Sequence, residues 1–153
     1  MLKLIVAMVT AAGLSLSTAT AGHDGLVRKE SANNFDETVA KLKEAIETRG
    51  ITLMATVDHS ANAEKAGLSL PPTTLLIFGN PAAGTTLMQQ SRTVAIDLPM
   101  KALVYVNDNG KVCVEYNDVS YLAERHGIDK GFPVVGKING VLDAITSEAT
   151  GAE

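Results

Sequence analysis

The chain has 153 residues with 13 basic and 17 acidic side chains, which gives a formal net charge of −4 at neutral pH. An acidic chain that contains no tryptophan and no basic cluster is not expected to bind nucleic acid or an anionic membrane surface. The length predicts one domain that can bury an ordinary core. Because Cys113 is the only cysteine, an internal disulfide is excluded and packing must provide stability.

The first 21 residues have the pattern of a secretory signal peptide. Lys3 precedes an apolar run, and small residues follow it up to Ala21. This order predicts cleavage after Ala21, with Ala19 as the alternative site. The apolar run is shorter than the roughly 20 residues that span a bilayer, which disfavours a membrane anchor. We therefore expect an exported domain over residues 22–153, periplasmic or secreted, with no membrane contact once the leader is cleaved.

The clearest local pattern predicts a helix over residues 35–49. Asn34 has the residue type of an N-cap, and Gly50 has that of a helix-ending C′ residue. The apolar positions between them recur with the spacing of one helical face. These positions are Phe35, Val39, Leu42 and Ile46.

Two apolar runs, residues 51–57 and 73–78, predict strands. The second run hardly alternates with polar residues, which favours a central position in the sheet. Residues 60–66, between the two runs, predict a short helical segment. After the second run, Pro81 favours the first turn of a helix over residues 82–91.

Two alternating runs, residues 103–106 and 111–116, predict a hairpin because residues 107–110 are rich in Asn and Gly. The other predicted elements are a strand over residues 25–31, a helix from Asp118 to Ala123 and a last helix over residues 139–147. A frayed tail is expected from about residue 149. Adjacent antiparallel strands in mixed order with helices predict a compact single α+β domain, with a mainly antiparallel sheet packed against helices.

Several motifs together resemble one bacterial family, the domain of unknown function 302. They are Phe35-x3-Val39-x2-Leu42-x7-Gly50, Val57-Asp58-His59-Ser60 with Ala63 and Gly67, Leu75-x-Ile77-Phe78-Gly79-Asn80-Pro81, Leu87-Met88 and Asp97-Leu98-Pro99-Met100-Lys101. The resemblance extends over about residues 25–147. It implies a compact α+β domain with an antiparallel sheet, and it is compatible with a homodimer. It implies no established activity.

Three polar turns terminate otherwise apolar segments, which is typical of the rim of a cleft. The candidate ligand-binding residues on these turns are Asp58, His59, Gly79, Asn80, Asp97 and Lys101. Each has a structural alternative, since Asp and Asn also cap helices or form turns and a histidine also makes structural hydrogen bonds.

Residues 79–86 have the glycine spacing of a phosphate loop, but Thr85 stands where the loop requires lysine, which excludes nucleotide hydrolysis. A small anion at the helix start remains an alternative to simple capping. We interpret His126, beside Gly127, as favourable at a helix C-terminus and Cys113 as a packing residue.

No recognised metal-ligand spacing is present, and we expect no cofactor and no metal site. His23 is a weak candidate, because cleavage after Ala21 would place its imidazole beside a free amine that could help to bind copper. The downstream methionines Met54, Met88 and Met100 are interpreted as core residues.

These observations favour an exported, non-catalytic binding or sensing domain with a small ligand or anion as partner. One alternative is an enzyme that uses His59 as general acid or base with Asp97 or Lys101 close by. A further alternative is a structural protein-interaction domain, for which a homodimer is one form.

Overall fold

A computed structural model describes residues 20–21 and 25–151, which form one α+β domain, as predicted. The strands are β1 (Thr20–Ala21), β2 (Leu26–Glu30), β3 (Thr52–Asp58), β4 (Thr73–Gly79), β5 (Met100–Val106) and β6 (Val112–Asn117). The helices are α1 (Phe35–Thr48), α2 (His59–Lys65), α3 (Pro81–Gln90), α4 (Val119–Arg125) and α5 (Pro133–Thr150), with a 3₁₀ helix at Arg92–Ile96.

The strands form one sheet in the order β1-β2-β6-β5-β4-β3, and all of its neighbouring strands are antiparallel. Helices α1 and α5 pack against each other and against one face of this sheet. Side chains on that face are buried, as alternation along a half-covered strand requires. Leu76, Phe78, Val104 and Val114 are examples of these core residues.

Local signals place several elements as predicted. The Asn34 side chain accepts a hydrogen bond from the Glu37 backbone N–H at 2.9 Å and so caps α1. In the β5–β6 turn, Asn107 Oδ1 accepts hydrogen bonds from two backbone N–H groups, and Gly110 adopts a φ of +75°. Strand β4 lies inside the sheet, between β3 and β5, in agreement with the predicted central position.

Helix α5 is longer than the prediction of residues 139–147 at both ends. Gly136 and Gly140 weaken its helical pattern in the sequence, yet both lie inside the helix because its other positions pack on the core. The prediction of a frayed tail is wrong for Ala149 and Thr150, which are buried in the last turn. Residues 152–153 lie outside the described residues.

The predicted leader falls largely on residues 1–19, and the weak metal candidate His23 falls on residues 22–24. Both ranges lie outside the described residues. Residues 20–21 pair with Val27 and Arg28 as a two-residue strand at the sheet edge. Cleavage after Ala21 would therefore make β2 the edge strand.

Helix α4 is joined to α5 by a capping network around Asp118. Its carboxylate accepts hydrogen bonds from the Ser120 backbone N–H at 2.6 Å and from Asn139 Nδ2 at 3.1 Å. Asn139 Oδ1 also accepts from the Val119 backbone N–H at 2.8 Å. Partial burial would raise the pKa of Asp118, but the hydrogen bonds from Asn139 and Ser120 outweigh this effect and lower it.

Replacing Asp118 with alanine is expected to reduce the free energy of unfolding by about 1–2 kcal/mol, because α4 loses its cap. The lowered pKa means that ionised Asp118 stabilises the fold at neutral pH and that this contribution is lost as the pH falls through the folded-state pKa. Asp118→Asn should keep the cap but lose this part of the acid sensitivity. Urea unfolding at pH 7 and pH 3 tests both effects, with Asp108→Ala in the exposed turn as the control. Equal stability of Asp118→Ala and the control at pH 7 would contradict the capping role.

Candidate functional site

A cavity of about 830 Å³ lies between α5, the start of α3 and the part of the sheet where β4 ends and β5 begins. Its walls are mainly apolar, which is typical of a small-molecule site. Helix α5 contributes Val134, Ile138 and Val141, which share a helical face by their spacing. Phe78 and Met100, at the adjoining ends of β4 and β5, are buried residues of the core that also line the cavity.

The turn after β4 forms one wall of the cavity. Asn80 Oδ1 accepts hydrogen bonds from the backbone N–H groups of Ala82 at 2.9 Å and Ala83 at 3.4 Å, which fixes the start of α3. A Cβ atom at Gly79 would lie 3.4 Å from Pro99 Cβ, which shows that this turn lies against the segment before β5. The candidates Gly79 and Asn80 therefore both line the cavity.

The segment before β5 forms the neighbouring wall through Leu98 and Pro99. Lys101 Nζ donates hydrogen bonds to the carbonyl oxygens of Asp97 at 3.1 Å and Pro99 at 2.9 Å. The structure thus brings together two of the three predicted turns. Asp97 and Lys101 are not among the described residues that line the cavity, and they hold the segment that does.

Asp97 is fixed by His126, a partner that the sequence analysis missed. Its Oδ2 lies 2.6 Å from His126 Nε2, and the other ring nitrogen lies 2.9 Å from Thr93 Oγ1. An acid, an imidazole and a hydroxyl in this order occur in nucleophilic catalysis. Here none of the three is among the described cavity-lining residues, and the network joins α4 to the loop before β5. We therefore interpret it as structural.

Asp58 and His59 lie at the opposite end of the sheet from this cavity. Asp58 pairs with Thr74, whereas Gly79 pairs with Thr52, so the two ends of β3 are roughly 20 Å apart. The expectation that all three turns surround one cleft is therefore wrong for this turn. The separation arises because β3 and β4 are antiparallel, so the turn after β3 and the turn after β4 lie at opposite ends of the strands.

Asp58 is the N-cap of α2. Its Oδ1 accepts hydrogen bonds from the Ala61 backbone N–H and the Ser60 hydroxyl, both at 2.8 Å, and these bonds lower the pKa of Asp58. The His59 side chain is exposed and makes no hydrogen bond or ion pair with another described residue. Helix capping, the structural alternative for Asp58, thus accounts for its contacts.

The enzyme hypothesis required His59 within about 5 Å of Asp97 or Lys101, close enough to cooperate. Thr74, the partner of Asp58, pairs with Val104 of β5, and Lys101 lies three residues farther along that strand. This register separates His59 from Lys101 by roughly 10 Å along the strands, in addition to two strand spacings. The geometry therefore does not support an enzyme in which His59 cooperates with Lys101.

Two cations, Arg49 and Lys137, are the charged residues of the described lining, which contains no acidic side chain. Arg49 Nη1 lies 2.8 Å from a carboxylate oxygen of Glu148 and donates to the Ala45 carbonyl oxygen at 3.0 Å. Lys137 is exposed and has no such partner among the residues that the structure describes. Nothing in the local sequence marks either residue, because only the fold brings them to one cavity.

Over residues 25–151, no cluster of three His, Cys, Asp or Glu side chains could hold a metal ion. Cys113 is buried, as expected of a packing residue, and this burial raises the pKa of its thiol. In the same part of the chain, no helix combines the length and apolar character that crossing a bilayer requires.

Replacing Asp97 with alanine is expected to lower the free energy of unfolding by about 1–3 kcal/mol, because the His126 side chain, only 8% exposed, loses its carboxylate partner. His59→Ala should change it by no more than about 0.5 kcal/mol, since His59 is exposed. Parallel urea denaturation of the two variants measures this difference. Equal effects would show that the Asp97–His126 contact does not stabilise the fold.

The sequence model of one protein family, the domain of unknown function DUF302, matches residues 27–145 of this chain. An uncharacterised conserved DUF302 protein from Bacillus stearothermophilus has a similar structure, with a TM-score of 0.73 and 18% sequence identity over 82% of this chain and 98% of its own. At that identity the similarity supports the fold alone.

Curated relatives share more sequence over a shorter part of their length. Fluoride-specific ion channel FluC 1 of Brucella suis is 45% identical over 104 residues, which are 68% of this chain and 41% of the relative. The protein of the same name from Brucella abortus has the same identity over 38% of its length. The chain thus spans about two fifths of these relatives. The match of the family model over most of the domain shows that the chain belongs to the DUF302 family.

Proposed function

We propose that the protein is an exported binding domain that takes up a small apolar or amphipathic molecule in the cavity beside α5. The observation that carries this proposal is the cavity itself, whose volume of about 830 Å³ falls within the range of small-molecule sites. Its walls are rich in aliphatic side chains, and the turn after β4 and the Leu98–Pro99 segment form one side of it. Such a site binds mainly through the burial of apolar surface.

The methionines give a second reason for this proposal. Met54, Met88 and Met100 are the three methionines that follow the predicted leader, and all three line the cavity. Methionine is flexible and polarisable, so it adapts to ligands of different shape. Met54 is 49% exposed, which is high for an apolar side chain that only fills a core. These residues suit a site that admits a family of related apolar molecules.

Export to the periplasm or the medium is part of the proposal and rests on the leader pattern of the first 21 residues. The homodimer that the family resemblance allows also stays a prediction. Side chains on the sheet face opposite α1 and α5, such as Leu75, Ile77 and Leu103, are partly exposed and are available for such contact.

The relatives named fluoride-specific ion channels favour a second candidate, a fluoride-responsive accessory domain that acts beside an ion channel. The similar segment is 104 residues, about two fifths of those proteins. A fluoride titration followed by ¹⁹F NMR distinguishes the candidates, because only a fluoride-responsive domain should change the fluoride signal at millimolar concentration. No change would leave the apolar-ligand proposal as the better supported one.

Filling the cavity tests the main proposal. Ala83→Phe adds a large side chain to the lining and is expected to weaken binding of the neutral fluorescent probe N-phenyl-1-naphthylamine at least tenfold, by taking up the space that the probe needs. Ala144→Phe makes the same chemical change at an exposed position of α5 outside the described lining and should leave binding unchanged. Thermal unfolding of each variant verifies that it is folded.

Two results would contradict the cavity as the binding site. One is wild-type protein that shows no saturable binding of the probe. The other is a folded Ala83→Phe variant with the same affinity as the Ala144→Phe control.

A further inference from the structure

The charges around the cavity point to the chemical class of the ligand. The chain as a whole is acidic, with a net charge of −4. Yet the charged side chains of the described lining are two cations, Arg49 and Lys137. A positive site with low-dielectric walls on an acidic protein favours an anionic group over a neutral or cationic one.

The Lys137 ammonium is the more available of the two charges. It makes no hydrogen bond or ion pair with any other described residue, whereas the ammonium groups of Lys29 and Lys101 are both hydrogen-bonded within the fold. The Arg49 guanidinium forms an ion pair with the Glu148 carboxylate, which neutralises part of its charge. Lys137 therefore has three donors free for a ligand.

The position of Lys137 couples its charge to the apolar wall. It lies on α5 next to Ile138 and three residues after Val134, and both of these neighbours line the cavity. A molecule whose chain contacts this wall would have its end group within reach of the ammonium, because residues three and four apart share a helical face. The start of α3 adds a weaker positive field, although Asn80 already occupies the first backbone N–H groups.

We propose that the ligand is an amphipathic monocarboxylate, with an unbranched acyl chain in the cavity and its carboxylate at Lys137. This inference rests on the proposed function and specifies its ligand class. A single free ammonium matches a single negative charge, whereas a phosphate dianion is usually held by several donors or a bidentate arginine. The chain would lie against Ile138, Val141 and the cavity methionines.

Isothermal titration with dodecanoate, dodecanol and dodecyltrimethylammonium, all below their aggregation concentrations, tests the proposal. Dodecanoate should bind most tightly to the purified protein. Lys137→Met should weaken dodecanoate binding about 5- to 20-fold, because the charge-assisted hydrogen bond is lost, and should leave dodecanol binding unchanged. Lys137→Arg should restore most of the affinity.

Lys65→Met provides the matched control, since Lys65 is an exposed lysine of α2, the helix that follows the far end of β3. It should not change the affinity for dodecanoate. Equal binding of dodecanoate and dodecanol, with no effect of Lys137→Met, would overturn the assignment of the carboxylate but leave the apolar site. Failure of both ligands and of the neutral fluorescent probe would contradict the proposed function as well.

Discussion

The placement of α5 depends on the hydrogen bonds that it accepts from the buried ammonium group of Lys29. The side chain lies on β2 with 4% exposure and bonds α5 through the carbonyl oxygen of Asp143 at 2.8 Å, its carboxylate at 2.7 Å and the Ser147 hydroxyl at 2.7 Å. A buried charge is costly unless its hydrogen bonds are made, and here all three donors are used. This requirement fixes the rotation and the axial position of α5 on the sheet.

The same helix then contributes to both the core and the cavity. Leu142 is buried in the core and also lines the cavity, together with Val134, Ile138 and Val141. The facing wall is fixed independently, since Asn80 caps α3 and the Asp97–His126 contact holds the segment before β5. The cavity is therefore formed by rigid elements whose positions are determined outside it, which favours a preformed binding site.

The sequence was most informative where the signal is local. The stripe and caps of α1, the Asn–Gly turn before β6 and the Asn80 cap of α3 each depend on residues a few positions apart. The first turns of α5 were missed because Gly136 weakens the local pattern, while tertiary packing keeps the helix. The Asp97–His126 pair spans 29 residues, and no local periodicity relates such distant positions.

The three polar turns look alike in the sequence, but the fold separates them. Gly79 and Asn80 line the cavity, whereas the Asp58–His59 turn lies at the opposite end of the strands. A strand that runs antiparallel to β4 begins beside the end of β4. Strand β5 does this, and so Leu98 and Pro99 reach the cavity.

The most direct measurement is NMR of protein labelled with ¹³C at its methionine methyl groups, titrated with an apolar ligand such as dodecanoate. Met54, Met88 and Met100 all line the cavity, so each methyl signal reports on it. We expect all three signals to shift together and saturate, while the labelled alanine methyl signals of the exposed Ala40 and Ala144 stay unchanged. Saturable binding that leaves the three methionine signals unchanged would place the ligand elsewhere and contradict binding in the cavity.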